Sequence, residues 1–114
     1  MSRITTHVLD TALGRPAVGV PITLERLPPE GEPVVLGRGV TDVDGRLRDL
    51  APPGAALHTG TYRLTFDTGA YFAAQELEAF YPAVSVLFDV RDGVAHYHVP
   101  LLLSPYGYST YRGS

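Results

Sequence analysis

The sequence predicts an all-β protein, a two-sheet β-sandwich of about eight short strands with one short helix. Three observations carry that expectation. Ten prolines and twelve glycines in 114 residues break the chain too often for long helices. Between the breaks, apolar and polar residues alternate, the period of a strand with one buried face. The run from His96 to Leu103 also separates into two faces, with Tyr97, Val99, Leu101 and Leu103 on one and His96, His98, Pro100 and Leu102 on the other.

Ile4, Thr6 and Val8 alternate with Thr5, His7 and Leu9, which makes the first strand and sets His7 in the phase opposite Val8. Gly14, Pro16 and Gly19 mark Asp10 to Pro21 as a loop. Val20 to Leu27 forms the second strand, closed by Pro28-Pro29-Glu30-Gly31, and Pro33 to Thr41 forms the third. Asp42-Val43-Asp44-Gly45 reads as a hairpin turn, because Asp-Gly supplies the positive φ angles that a tight turn needs. Arg46 and Arg48 then share a face opposite Leu47, and Ala51-Pro52-Pro53-Gly54 breaks that short strand. Thr61 to Asp67 is another strand, with Tyr62, Leu64 and Phe66 on one side. The helix is expected around Tyr71 to Phe80, through Ala73-Ala74-Gln75-Glu76-Leu77-Glu78, with Pro82 ending it. Val84 to Val90 is a near-continuous apolar strand turned by Arg91-Asp92-Gly93. His96 to Leu103 and Tyr106 to Tyr111, joined through Ser104-Pro105, complete the set, with Tyr106 and Tyr108 expected to face the core.

The length fits one domain over residues 1–114, with no internal repeat or linker. A net charge of −3, with nine scattered basic residues that are all arginine, offers no basic stripe for nucleic acid. The absence of cysteine removes disulfides, thiolate nucleophiles and cysteine metal sites. Met1-Ser2-Arg3 leads straight into a strand, without an apolar signal segment or a membrane-length run. The default expectation is a soluble cytoplasmic protein with neither a nucleic-acid nor a membrane partner.

Three histidines can carry chemistry. A histidine titrates near neutral pH and can take or give a proton. His96 and His98, two apart on a strand, face the same way and could share a metal, but no carboxylate stands in the right phase to complete such a site. Each histidine taken singly also fits an exposed surface position. Two features point further: His98 interrupts an apolar run, and a pairing first strand could bring His7 near it. Arg46 reads either as a solvated edge-strand arginine or as a fork of donors for a planar anion or a developing oxyanion. No Gly-x-Ser-x-Gly elbow, phosphate loop or dinucleotide fingerprint is present.

His7, Leu9, His98, Pro100, Leu102, Ser109 and Tyr111 share the non-core phase of their strands. A sheet face mixing histidine, leucine and tyrosine is better covered by another subunit than left in water.

Three segments together resemble a known family. They are His7-Val8-Leu9-Asp10 with Gly14-Arg15-Pro16-Ala17; Asp44-Gly45-Arg46; and His98-Val99-Pro100 through Leu103-Ser104-Pro105-Tyr106-Gly107-Tyr108-Ser109 to Tyr111-Arg112-Gly113-Ser114. In this order, over essentially the whole chain, they are similar to the 5-hydroxyisourate hydrolases, transthyretin-related enzymes of purine breakdown. The closing tetrapeptide is the most specific element, and no departure from the enzyme pattern occurs. The resemblance implies a transthyretin-like β-sandwich assembled as a homotetramer, with sites in the channel where two dimers meet. It implies hydrolysis of 5-hydroxyisourate to 2-oxo-4-hydroxy-4-carboxy-5-ureidoimidazoline without metal or organic cofactor. His7, Arg46 and His98 fall on the family's catalytic positions, and Tyr111, Arg112 and Ser114 join them in substrate binding. Either His98 or His7 could be the base. The alternative is a transthyretin-like carrier of a small aromatic ligand, which has no need of these imidazoles.

Overall fold

The computed structural model describes residues 2–54 and 56–114, so Met1 of the leading tripeptide lies outside the described residues. Two sheets pack face to face. The first contains β1 (Ile4–Asp10), β2 (Arg15–Pro16), β5 (Arg46–Leu47), β8 (Tyr97–Ser104) and β9 (Gly107–Thr110). The second runs β4 (Val34–Val40), β3 (Pro21–Leu27), β6 (Gly60–Phe66) and β7 (Val84–Val90). A short helix, α1 (Thr68–Ala73), joins β6 to β7. The two-sheet, mostly β architecture with one short helix is the one the alternation predicts.

The two inner faces supply one core. Ile4 and Val8 of β1 and Val99 and Leu101 of β8 belong to the same buried cluster as Ile22 and Leu24 of β3 and Leu64 and Phe66 of β6. Burying each such side chain contributes roughly 1.5–3 kcal/mol relative to exposure. The packing leaves the outer face of each sheet outside this core. In that sheet β1 is central: it pairs in parallel with β8, while β2 and β5 share its other edge.

Four local expectations need correction. The Asp10 to Pro21 loop contains β2, because Gly14, at φ 69, turns the chain back so that Arg15 and Pro16 pair with Asp10 and Leu9. The Asp42 to Gly45 turn does not close a hairpin. β4 lies in the second sheet and β5 in the first, so the turn carries the chain between sheets.

The helix is displaced from Tyr71–Phe80. The Asp67 carboxylate accepts the Ala70 N–H at 3.1 Å and starts the helix directly after β6. It ends early because Glu76 takes φ 58, with its N–H on the Ala73 carbonyl and the Leu77 N–H on that of Phe72. Pro82 therefore plays no part in stopping it.

Tyr106 and Tyr108 are 67% and 43% exposed rather than core residues. Tyr106 sits in the turn before β9. Tyr108 opposes Leu103 and keeps the expected phase, but β9 is the sheet's edge and its ring packs edge-on against Tyr81, centroids 5.2 Å apart. β7 is also an edge strand, with only Val84 and Val90 buried and Leu87 exposed.

Candidate active site

Arg46 owes its position to the turn before it. The Asp42 carboxylate accepts the N–H groups of Asp44 and Arg46, each at 2.9 Å, and the Asp42 N–H donates to the Arg46 carbonyl at 2.9 Å. The bond from the Arg46 N–H, more than any other influence, holds the Asp42 carboxyl below its usual range. Gly45 sits at φ 74, and a Cβ there would stand 2.4 Å from the Val8 carbonyl oxygen. That close approach lets the Val8 N–H reach the Gly45 carbonyl at 2.7 Å and docks β5 on β1. Arg46 is thereby set directly opposite His7, and Thr6 opposite Leu47.

On the other side of β1, Thr5 stands opposite His98. Its hydroxyl lies 2.8 Å from His98 Nδ1 and 3.2 Å from His96 Nε2. Thr5, Thr6, Arg46, Arg48, His96, His98 and Ser114 line one cavity of about 170 Å³. A larger depression of about 470 Å³ beside α1 is lined mainly by apolar residues and gathers no comparable set of groups.

Burial, and then the positive charge of Arg46, lower the His98 pKa from its ordinary value, with smaller contributions from His7 and His96. His98 is therefore neutral at pH 7 and able to accept a proton. The Arg46 guanidinium suits a flat, electron-rich substrate and a transition state that gathers negative charge on oxygen, while Arg48, on the same lining, pairs with Asp42 at 3.6 Å.

His7 is held differently. Its Nε2 lies 2.8 Å from the Asp44 carbonyl, to which it donates. It is half-buried beside the cavity rather than among its lining residues.

The tail returns along β8. Pro100 has no N–H to donate, so β9 ends at Thr110 and pairing resumes only at an isolated bridge between His98 and Gly113. Between these points Tyr111 and Arg112 turn towards β7 and line a separate cavity of about 230 Å³ with Val86, Phe88 and Tyr97. The Arg112 guanidinium lies 4.6 Å from the centre of the Tyr97 ring. One chain thus brings Arg46, His98 and Ser114 together, places His7 beside them, and does not bring Tyr111 or Arg112 into that cavity.

Thr5, Thr6 and Arg48 were not singled out as site residues from the sequence. The signal was phase: Thr5 is two residues from His7, and Arg48 is two from Arg46. His96 and His98, a candidate metal pair on spacing, both bond the Thr5 hydroxyl. Among the described residues, no three His, Cys, Asp or Glu side chains gather where they could hold one metal ion.

Residues 4–113 match the model of the HIUase/Transthyretin family. The chain belongs to that family. It is 54% identical to 5-hydroxyisourate hydrolase 2 of Rhizobium meliloti, over 98% of this chain and 96% of that protein. Among solved structures it is similar to the Klebsiella pneumoniae 5-hydroxyisourate hydrolase, at 40% identity and TM-score 0.84, covering 97% of this chain and 98% of that one. It is also similar to sea bream transthyretin in complex with thyroxine, at 32% identity and TM-score 0.89, covering 97% and 94%. Enzyme and carrier share the fold, so backbone likeness cannot separate them. Sequence identity and the site's side chains have to.

Proposed function

We propose that this chain hydrolyses 5-hydroxyisourate to 2-oxo-4-hydroxy-4-carboxy-5-ureidoimidazoline, a step in urate degradation. The observation that carries the reading is a neutral, partly desolvated His98 in one cavity with the Arg46 guanidinium. Identity of 54% to a relative named as the hydrolase, against 32% to the thyroxine-bound carrier, favours the enzyme.

In this mechanism His98 takes a proton from water as the oxygen adds to a ring carbonyl. Arg46 stabilises the tetrahedral oxyanion. Collapse breaks the C–N bond, and the proton on His98 passes to the leaving nitrogen, so that one water is consumed and the imidazole returns neutral. His7, anchored on the Asp44 carbonyl, orients substrate from the side, and Ser114 supplies a hydrogen bond. The residues named need neither metal nor organic cofactor for this sequence.

A cavity of about 170 Å³ is smaller than the roughly 300 Å³ at which small-molecule sites usually begin. A homotetramer with sites where two dimers meet would deepen it, and Tyr111 and Arg112 would act on substrate in that assembly. The exposed Leu13 and Tyr106 favour such covering. No helix among the described residues is long and apolar enough to cross a membrane; the proposed location is the cytoplasm.

Urate oxidised in place by urate oxidase yields a transient whose ultraviolet absorbance decays slowly by itself. Added protein should accelerate the decay. Unchanged decay together with tight thyroxine binding would make the chain a carrier.

A further inference from the structure

The Thr5 hydroxyl has one proton and two imidazole neighbours, His98 Nδ1 at 2.8 Å and His96 Nε2 at 3.2 Å. It can donate to at most one ring, so at least one ring must donate to it. When both rings are neutral and the hydroxyl donates to one of them, their tautomers are coupled. In one arrangement His98 Nδ1–H donates to Thr5, Thr5 donates to His96 Nε2, and His98 Nε2 is left with a free lone pair. The reverse arrangement puts a proton on His98 Nε2 and leaves that ring without a base.

The charge beside the ring selects the first arrangement. Arg46 lines the cavity with His98, and its positive charge attracts a lone pair and repels an N–H dipole. The contact with Thr5 is rigid. Thr5 is 4% exposed, directly opposite His98 across the parallel ladder, and β-branched, so its hydroxyl has little freedom to swing away.

We propose that Thr5 is a positioning residue that fixes the tautomer of His98, with His96 holding the hydroxyl in the required direction. The proposal rests on His98 being the base of the reaction described above. Its proton ledger closes: Nε2 receives a proton from water, Nδ1–H stays on Thr5 throughout, and the Nε2 proton leaves with the product nitrogen. Thr5 touches neither water nor substrate in this scheme, and His96, which spacing alone would make half of a metal pair, becomes a tautomer lock.

The test combines ¹⁵N chemical shifts of the His98 ring with steady-state kinetics for wild type, Thr5→Val, Thr5→Ser and His96→Phe. Wild-type His98 should carry its proton on Nδ1. Thr5→Val should move it towards Nε2–H and lower kcat about tenfold to a hundredfold, with KM little changed. Thr5→Ser should restore both. His96→Phe leaves the Thr5 hydroxyl free to donate to Nδ1, and should shift the tautomer in the same direction as Thr5→Val. If Thr5→Val does not fold, His96→Phe decides, since it leaves β1 intact. A wild-type ring protonated on Nε2, or variants with unchanged tautomer and unchanged kcat, would overturn the proposal. The predicted tautomer shifts in a protein without hydrolase activity would uphold the positioning and remove the hydrolase reading instead.

Discussion

Gly113 donates its N–H to the His98 carbonyl at 2.8 Å, and a Cβ added to Gly113 would stand 2.5 Å from His98 Cδ2. The tail is fitted to the imidazole so closely that only glycine leaves the ring in place. Gly113→Ala should therefore displace the ring or the tail. We expect kcat to fall about tenfold to a hundredfold, the scale of a misplaced catalytic group. The stability cost should stay within about 1–3 kcal/mol, the range for overpacking. Steady-state rates beside a thermal melt separate the two effects.

The lowered pKa of His98 sets a pH dependence. With His98 as the proposed base, the rate would follow its neutral form, so kcat/KM should hold its level to a pH below the ordinary histidine value of 6.5 and fall as pH drops through the lowered pKa. The charged and titrating groups around the ring are His7, His96, Arg46 and Arg48. After burial, Arg46 is the largest cause of the shift, so Arg46→Gln should move the acid limb to higher pH as well as lowering the rate. The same sign applies to folding: the contribution from His98 is present above its unfolded pKa and is lost as pH falls through the folded one. A pH profile of kcat/KM for both proteins checks the direction.

Removing Tyr111 to Ser114 should collapse turnover while the sandwich still folds, because none of the four is a core residue. Arg112→Ala should hurt less, through loss of its stacking on Tyr97 and its 3.4 Å bond to the His96 carbonyl. Ser114→Ala should cost up to about tenfold, the equivalent of one hydrogen bond. Circular dichroism and oligomer size, measured beside activity, show whether the tail shapes the site or the assembly.

Away from the site, the Tyr71 hydroxyl donates to Asp10 Oδ2 at 2.7 Å, tying α1 to the end of β1. Burial first, and then this bond to Asp10, push the Tyr71 hydroxyl up to about 12. Tyr71→Phe should destabilise by about 1–3 kcal/mol, since it leaves a buried carboxylate oxygen without its donor. Activity should persist, because Tyr71 is remote from the cavity. Chemical denaturation and the rate at one substrate concentration are sufficient.

The sheet layers and the His98 phase were legible because alternation is a local property: Tyr97, Val99, Leu101 and Leu103 are buried as that pattern requires. What the sequence obscured depended on contacts distant along the chain. Asp42-Val43-Asp44-Gly45 announced a turn but not that its second arm would pair with β1. The helix-forming residues from Ala73 to Glu78 point to a helix farther along the chain than the one that the Asp67 cap and the Glu76 turn define. Tyr108 showed its phase but not that β9 would be an edge. Thr5 was hidden for a similar reason: a buried threonine on a strand looks structural until its register with His98 is known.

The central claim is that neutral His98, held beside Arg46, is the base that hydrolyses 5-hydroxyisourate. The most direct measurement follows the ultraviolet decay of freshly generated 5-hydroxyisourate with wild-type protein and with His98→Asn, matched for folding and oligomer size. Wild type should accelerate the decay, and His98→Asn should lose roughly 10²–10⁴ of that acceleration. A folded His98→Asn protein that turns over substrate as fast as wild type would contradict the claim and move the base elsewhere.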